Sequence, residues 1–162
     1  LDSFLRRMLA QRDCLNAAVE LVRSLPGPVF ELGLGNGRTY DHLRELCPER
    51  EIFVFERQVA AHPDCIPPAE HLFEGELAET LAAAEHRFAG QVVLVHADLG
   101  SGRPAIDTKT AALVSGRLDG FLVPGGVVVS DLELTLPTAE VLPPPPDVRQ
   151  GRYHMYRCAE YP

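Results

Sequence analysis

No stretch of this chain stays apolar for the ~20 residues that a membrane-spanning helix requires. No C-x-x-C pair occurs either. Cys14, Cys47, Cys65 and Cys158 are scattered, which argues against a zinc site or disulfide frame and reads as reduced core thiols of a cytoplasmic protein. Positive charge is scarce: 15 Lys and Arg stand against 23 Asp and Glu, for a net charge of −8. That balance argues against a nucleic-acid substrate held by bulk electrostatics, since Lys and Arg on phosphates supply most of such affinity. Residues 1–9 include Asp2, Arg6 and Arg7 and lack a signal-peptide pattern. The start at Leu instead of Met suggests that a short preceding segment is missing. Internal repeats and domain linkers are absent. What is present is 162 residues, 46% hydrophobic and 23% charged, enough for one domain with a real core.

The chain is organised around Val29 to Thr39, Val-Phe-Glu-Leu-Gly-Leu-Gly-Asn-Gly-Arg-Thr. An apolar strand enters three alternating glycines, Gly33, Gly35 and Gly37, and Tyr40, Leu43 and Leu46 then recur at helical spacing. A strand, glycine loop and helix start is how α/β folds bring backbone close to a nucleotide-like ligand. The pattern is not the dinucleotide fingerprint, because Arg38 stands where a third small residue is needed for close helix–strand packing. It is not a phosphate-cradling loop either, with no Lys nearby. Glu31, two residues before the first glycine, would repel a pyrophosphate and suits a cationic amine.

The flanking pattern predicts alternating helices and strands. A helix over 3–24, capped by Ser3, carries Leu5, Met8, Leu9, Leu15, Val19 and Val22 on one face. Pro26-Gly27-Pro28 ends it. Residues 51–56 form a second strand, apolar inside and ending on Glu56, 23 positions past Gly33. An acid there hydrogen-bonds ribose hydroxyls in α/β sheets. Arg57 could lie along an adenine face. A proline-broken crossover reaches a short third strand at 72–73, then Glu74-Gly75-Glu76 and an amphipathic helix with Leu77, Leu81, Ala84 and Phe88 inward. A fourth strand, 91–95, leads to His96-Ala97-Asp98, and a fourth helix spans 107–118. Leu122-Val123-Pro124-Gly125-Gly126 then turns into a fifth strand over 127–130 that ends at Asp131. Only 31 residues follow. Pro143 to Pro146 cannot join a central strand, 152–158 alternates as a last strand, and a sixth strand is hard to place within 134–149.

The string Glu-Leu-Gly-Leu-Gly-Asn-Gly resembles motif I of the class I S-adenosylmethionine (SAM) dependent methyltransferases. Leu-x-Pro-Gly-Gly before an apolar strand, about ninety residues on, resembles the element preceding their fifth strand. The resemblance covers residues 28–131. It implies a Rossmann-like, doubly wound α/β fold with a mostly parallel sheet of six or seven strands and a shortened C-terminal part. It implies one domain over 1–162: an N-terminal helix at 1–26, a core at 28–131 and a variable tail at 132–162. Its fifth crossover helix is expected to be shortened or lost.

The resemblance also implies roles. Glu31 would face the methionine ammonium, directly or through water. Gly33, Leu34, Gly35, Asn36 and Gly37 would follow the methionine and ribose portion, and Glu56 would take both ribose hydroxyls. Arg57, Gly75, Glu76 and Leu77 would frame the adenine, with Asp98 near the ammonium and the methyl-transfer mouth. A base is needed only for a protonated acceptor, and the candidates at the mouth are His96, Asp98, Asp131, Tyr153 and His154. Catechol-type O-methyltransferases hold magnesium at the positions of Asp98 and Asp131. This chain has Asp131-Leu132 where they have Asp-Asn, so no metal is expected. The N-terminal helix either covers one sheet face or closes over the cofactor with Gln11, Arg12 and Asn16. The acceptor is expected to be a small molecule, with a possible homodimer supplying part of its wall. A non-catalytic SAM-binding module and a nicotinamide-dependent oxidoreductase are the rival functions.

Overall fold

A computed structural model describes residues 1–160. Seven strands form one sheet: β1 (Val29–Leu32), β2 (Ile52–Glu56), β3 (Leu72–Glu74), β4 (Val92–Ala97), β5 (Leu122–Ser130), β6 (Ala139–Leu142) and β7 (His154–Cys158). Their spatial order is β3-β2-β1-β4-β5-β7-β6. β1 to β5 run parallel, and β7 lies antiparallel between β5 and β6. The order reverses direction beside β1, which creates a crevice at the C-terminal ends of β1 and β4, where open α/β sheets take ligands.

Helices cover both faces, which is why the central strands are apolar nearly throughout. On one face lie α1 (Asp2–Leu21) and α2 (Arg38–Leu46), packing Cys14, Leu15, Ala18 and Leu43 on Val29, Val54, Leu94 and Val129. On the other, α3 (Leu77–Phe88) and α4 (Pro104–Ser115) pack Leu81, Phe88 and Val114 on Phe30, Phe53, Phe55 and Val128. Phe30 is the hub there, with ring centroids 4.8 Å from Phe55, 5.1 Å from Phe88 and 5.2 Å from Phe121. Each such ring contributes roughly 1.5–3 kcal/mol by leaving water.

Several boundaries differ from the sequence reading. Ser3 does not cap α1, which begins at Asp2 with no side-chain cap bond. Leu5 and Leu9 are exposed and Gln11 is buried in their stead. Small Cys14 and Ala18 permit the closest approach to the sheet, so the buried stripe runs through Gln11, Cys14, Leu15 and Ala18. The fourth helix starts three residues early, at Pro104, whose fixed φ suits a first helical position. Leu118 belongs to a separate 3₁₀ turn but is still buried. Val123 to Gly126 is not a turn before β5 but an irregularity within it: the register jumps from Val92↔Leu122 to Leu94↔Val127. The sixth strand is placed at 139–142, and no helix joins it to β5. All described boundaries of β1–β5 leave their ends on one edge, where Gly33, Gly75, Asp98 and Asp131 each donate a backbone N–H to the neighbouring strand.

Candidate active site

The glycines shape the floor of the crevice. Gly33 has φ +87°, and a Cβ there would stand 2.5 Å from the Asp98 carbonyl oxygen, so only glycine lets β1 leave the sheet this close to β4. Gly35 has φ +52° and open space where a Cβ would be. That opening leaves room against the loop backbone instead of a packing contact. Leu34 turns its side chain into the core and offers only backbone, while Asn36 is exposed.

Glu56 closes the β2 side. Its Oε2 accepts the N–H groups of Leu34 at 2.8 Å and Gly35 at 3.0 Å. Among the described residues, Oε1 meets only the Gln58 N–H, at 3.4 Å, so it retains lone pairs for a hydroxyl donor. The same contacts disfavour a pyrophosphate, because the amides that would cradle it already hold a carboxylate. Arg57 and Glu76 are exposed at the ends of β2 and before α3, with Gly75 and Leu77 half-buried beside them. Glu76 makes no capping bond to α3.

A chain of buried hydrogen bonds lies beneath the other side. Glu31 and His96 face each other across β1 and β4, both 0% exposed. His96 Nδ1 is 2.5 Å from Glu31 Oε1, and His96 Nε2 is 2.8 Å from the Tyr153 hydroxyl. Gln11 Nε2 donates to that hydroxyl at 3.0 Å and to Asp98 Oδ2 at 2.9 Å. Arg7 Nη2 reaches Asp98 Oδ1 at 2.5 Å and lies 4.0 Å from Asp131. Burial pushes the Glu31 carboxyl above its usual range, against the pull of His96. Burial alone would lower His96, but Glu31, with Asp98 and Asp131 behind it, carries its pKa upward.

His96 therefore does not stand at the mouth. It is interior, with both ring nitrogens engaged. Tyr153 is likewise buried, its hydroxyl committed to the network and its pKa raised by burial. Glu31 lies beneath the crevice surface, fully buried, which does not suit the expected direct contact with an ammonium. Its Oε2 has no hydrogen-bond partner among the described residues. Asp98 follows β4 at the crevice edge, 25% exposed at its side chain. Asp131 is a clamp on the loop after β4, accepting the N–H groups of Leu99 at 3.0 Å and Gly100 at 2.8 Å. Burial and the nearby Asp98 raise its pKa despite those bonds. His154 is half-buried and paired in register with Ser130. Among the described residues, no group of three or more His, Cys, Asp or Glu is placed to hold a metal.

Of the two readings of the N-terminal helix, covering the sheet describes its middle, and of the three residues expected over the cofactor only Gln11 lies at the crevice. The first turns of the helix reach the crevice through Arg7 and Gln11, while Phe4 packs under the Arg38 guanidinium. Arg12 pairs with Asp13 and Asn16 with His42 instead, away from the crevice. Sequence reading missed Arg7 altogether. The signal available was helical spacing, since Phe4, Arg7 and Gln11 share one face.

Comparison with known proteins agrees with this geometry. The family described as S-adenosyl-L-methionine methyltransferase matches residues 1–158. A crystal structure of an S-adenosyl-L-methionine methyl transferase from Silicibacter pomeroyi DSS-3 is 46% identical, with 96% of each chain covered and a TM-score of 0.92. The antibiotic-resistance methyltransferase Kmr has a TM-score of 0.56 at 12% identity, covering 90% of this chain and 93% of its own. Human methyltransferase-like protein 13, solved with S-adenosylhomocysteine, has a TM-score of 0.55 at 13% identity, covering 97% of this chain and 82% of its own. The last two share the fold. No curated protein matches the sequence.

Proposed function

Since the chain belongs to the S-adenosyl-L-methionine methyltransferase family, and so is a SAM-dependent enzyme, we propose that it methylates a small molecule at the crevice between β1 and β4. The observation that carries the site assignment is Glu56: one oxygen ties down the glycine-loop amides, and the other accepts only the long Gln58 N–H contact among the described residues, which leaves it lone pairs for a hydroxyl. That donor set fits a ribose and refuses a diphosphate.

The cofactor supplies an electrophilic methyl group on a sulfonium. Glu56 binds the ribose, and Gly33, Leu34, Gly35, Asn36 and Gly37 contribute backbone along the loop. Arg57, Gly75, Glu76 and Leu77 frame the adenine. Asp98 takes the ammonium, and Glu31 lies below it and would reach it through water. Positioning of the acceptor and exclusion of water supply most of the rate. Asp98 and Asp131 are the carboxylates near the mouth, and His96 acts only through Tyr153 and Gln11.

The net charge of −8 supports a small acceptor over a nucleic acid. The chain is proposed to work as one cytoplasmic domain and to pair with a second copy. Leu5 and Leu9, exposed one turn apart on α1, support that pairing. Binding of SAM and S-adenosylhomocysteine without NAD, followed by methyl transfer to members of a panel of small amines, phenols and thiols, tests this reading. Transfer to RNA alone would overturn it, and a strictly monomeric sedimentation profile would remove the pairing.

A further inference from the structure

Among the described residues, Arg7 makes one hydrogen bond, from Nη2 to Asp98 Oδ1 at 2.5 Å, and its Nε and Nη1 make none. The side chain is 43% exposed. It stands on α1, opposite Asp98 at the end of β4, and leans toward Asp131 at 4.0 Å. Gln11, one turn on, holds the other Asp98 oxygen. Arg7 is thus a cation facing a rim of carboxylates: Asp98 at the surface, Asp131 largely buried beside it and Glu31 below.

An α-amino acid group carries one positive and one negative charge. A rim of acids alone would attract its ammonium and repel its carboxylate. From this pairing we infer that Arg7 is a binding residue for the carboxylate of the cofactor's methionine moiety, as Asp98 is for its ammonium. The assignment rests on the cofactor reading above. The Arg7–Asp98 pair is a preformed cation and anion, and an incoming zwitterion exchanges one internal contact for two matched ones. A planar guanidinium with unused N–H groups suits a carboxylate, which it binds through two parallel hydrogen bonds. Arg7 lies on α1, outside the motif I and strand-end residues, so the helix serves the cofactor as well as the core. Gln11 is the positioning residue, since its amide holds Asp98 Oδ2, the oxygen that Arg7 does not touch.

Calorimetric titration of the wild type and an Arg7→Met variant with SAM and with decarboxylated SAM tests this. Decarboxylated SAM retains the sulfonium and the ammonium and lacks only the carboxylate. Arg7→Met should weaken SAM about thirtyfold, about 2 kcal/mol. It should leave decarboxylated SAM unchanged or slightly tighter, because Asp98 loses a competitor. The ratio between the two ligands is measured within one variant, so a folding defect, which lowers both equally, does not imitate the result. Unchanged or tighter SAM binding by Arg7→Met, or equal weakening of both ligands, overturns the assignment. A wild type that binds neither ligand overturns the cofactor reading itself.

Discussion

Replacing Tyr153 by Phe deletes one oxygen from the interior and leaves the ring in place. That oxygen accepts from Gln11 Nε2 at 3.0 Å and meets His96 Nε2 at 2.8 Å. Gln11, Tyr153 and His96 are all buried, so water cannot replace the lost partner. A buried polar group left unpaired costs about 1–3 kcal/mol. Two are stranded here, one on Gln11 and one on His96, and the Phe ring recovers little because the space is unchanged. The expected destabilisation is about 2–4 kcal/mol, a large share of the ~5–15 kcal/mol typical of a domain. In a urea titration the midpoint should fall by about 1–2 M with an unaltered slope. A Gln11→Met change combined with Tyr153→Phe should cost less than the sum of the two, by about 1 kcal/mol, because each single variant already breaks the shared bond. A Tyr153→Phe variant within about 0.5 kcal/mol of the parent, or strict additivity with Gln11→Met, would refute the network as drawn.

The buried pair also sets a pH dependence. His96 is raised above its ordinary value of 6.5 in the fold, so the folded chain holds a proton that the unfolded chain has released. Its contribution is complete below pH 6.5 and is lost as pH rises through the folded value. Glu31, raised from 4.5, acts in the same sense. Stability from chemical denaturation should therefore fall as pH rises above 6.5, with a limiting slope of about 1.4 kcal/mol per pH unit for one proton; a rise with pH there contradicts the pairing. Gly33→Ala should destabilise by about 2 kcal/mol or more, from positive φ and the clash with the Asp98 carbonyl, whereas Gly35→Ala should cost less stability but weaken SAM binding. Equal unfolding midpoints for the two would remove the distinction between packing glycine and cradle glycine. Methyl transfer, once an acceptor is found, should survive chelation with EDTA; complete loss restored by magnesium would place a metal at Asp98 and Asp131.

Much of the crevice was legible because its parts are local. Alternating glycines can only be a backbone in unusual conformations, and Glu56 and Asp98 end apolar strands, so polarity itself marks the sheet edge. The shortened tail was legible from the residues left after Asp131 and from the proline run. The buried network was not, because Gln11 and Tyr153 meet across 142 positions of sequence, and no periodicity encodes such a meeting. His96 was misplaced for a reason of depth. It shares the α1-facing side of the strand with Asp98, two residues on, but sits one pleat deeper inside the sheet, in register with Glu31. The missed signal was the pair itself: one acid and one imidazole inside two otherwise apolar strands must satisfy each other or pay heavily for burial. Arg7 was overlooked because a surface arginine on an amphipathic helix carries no mark of its own until the fold sets Asp98 opposite it.

The central claim is that the carboxylate-rimmed crevice of β1, β2 and β4 selects SAM over a dinucleotide, with Glu56 as the ribose ligand. Isothermal titration of the wild type and a Glu56→Ala variant with SAM and with NAD tests it directly. The account predicts one SAM per chain, no heat from NAD, and loss of SAM affinity by at least about a hundredfold in Glu56→Ala, about 2.7 kcal/mol. Binding of NAD by the wild type, or SAM affinity unaltered in a folded Glu56→Ala variant, would contradict it.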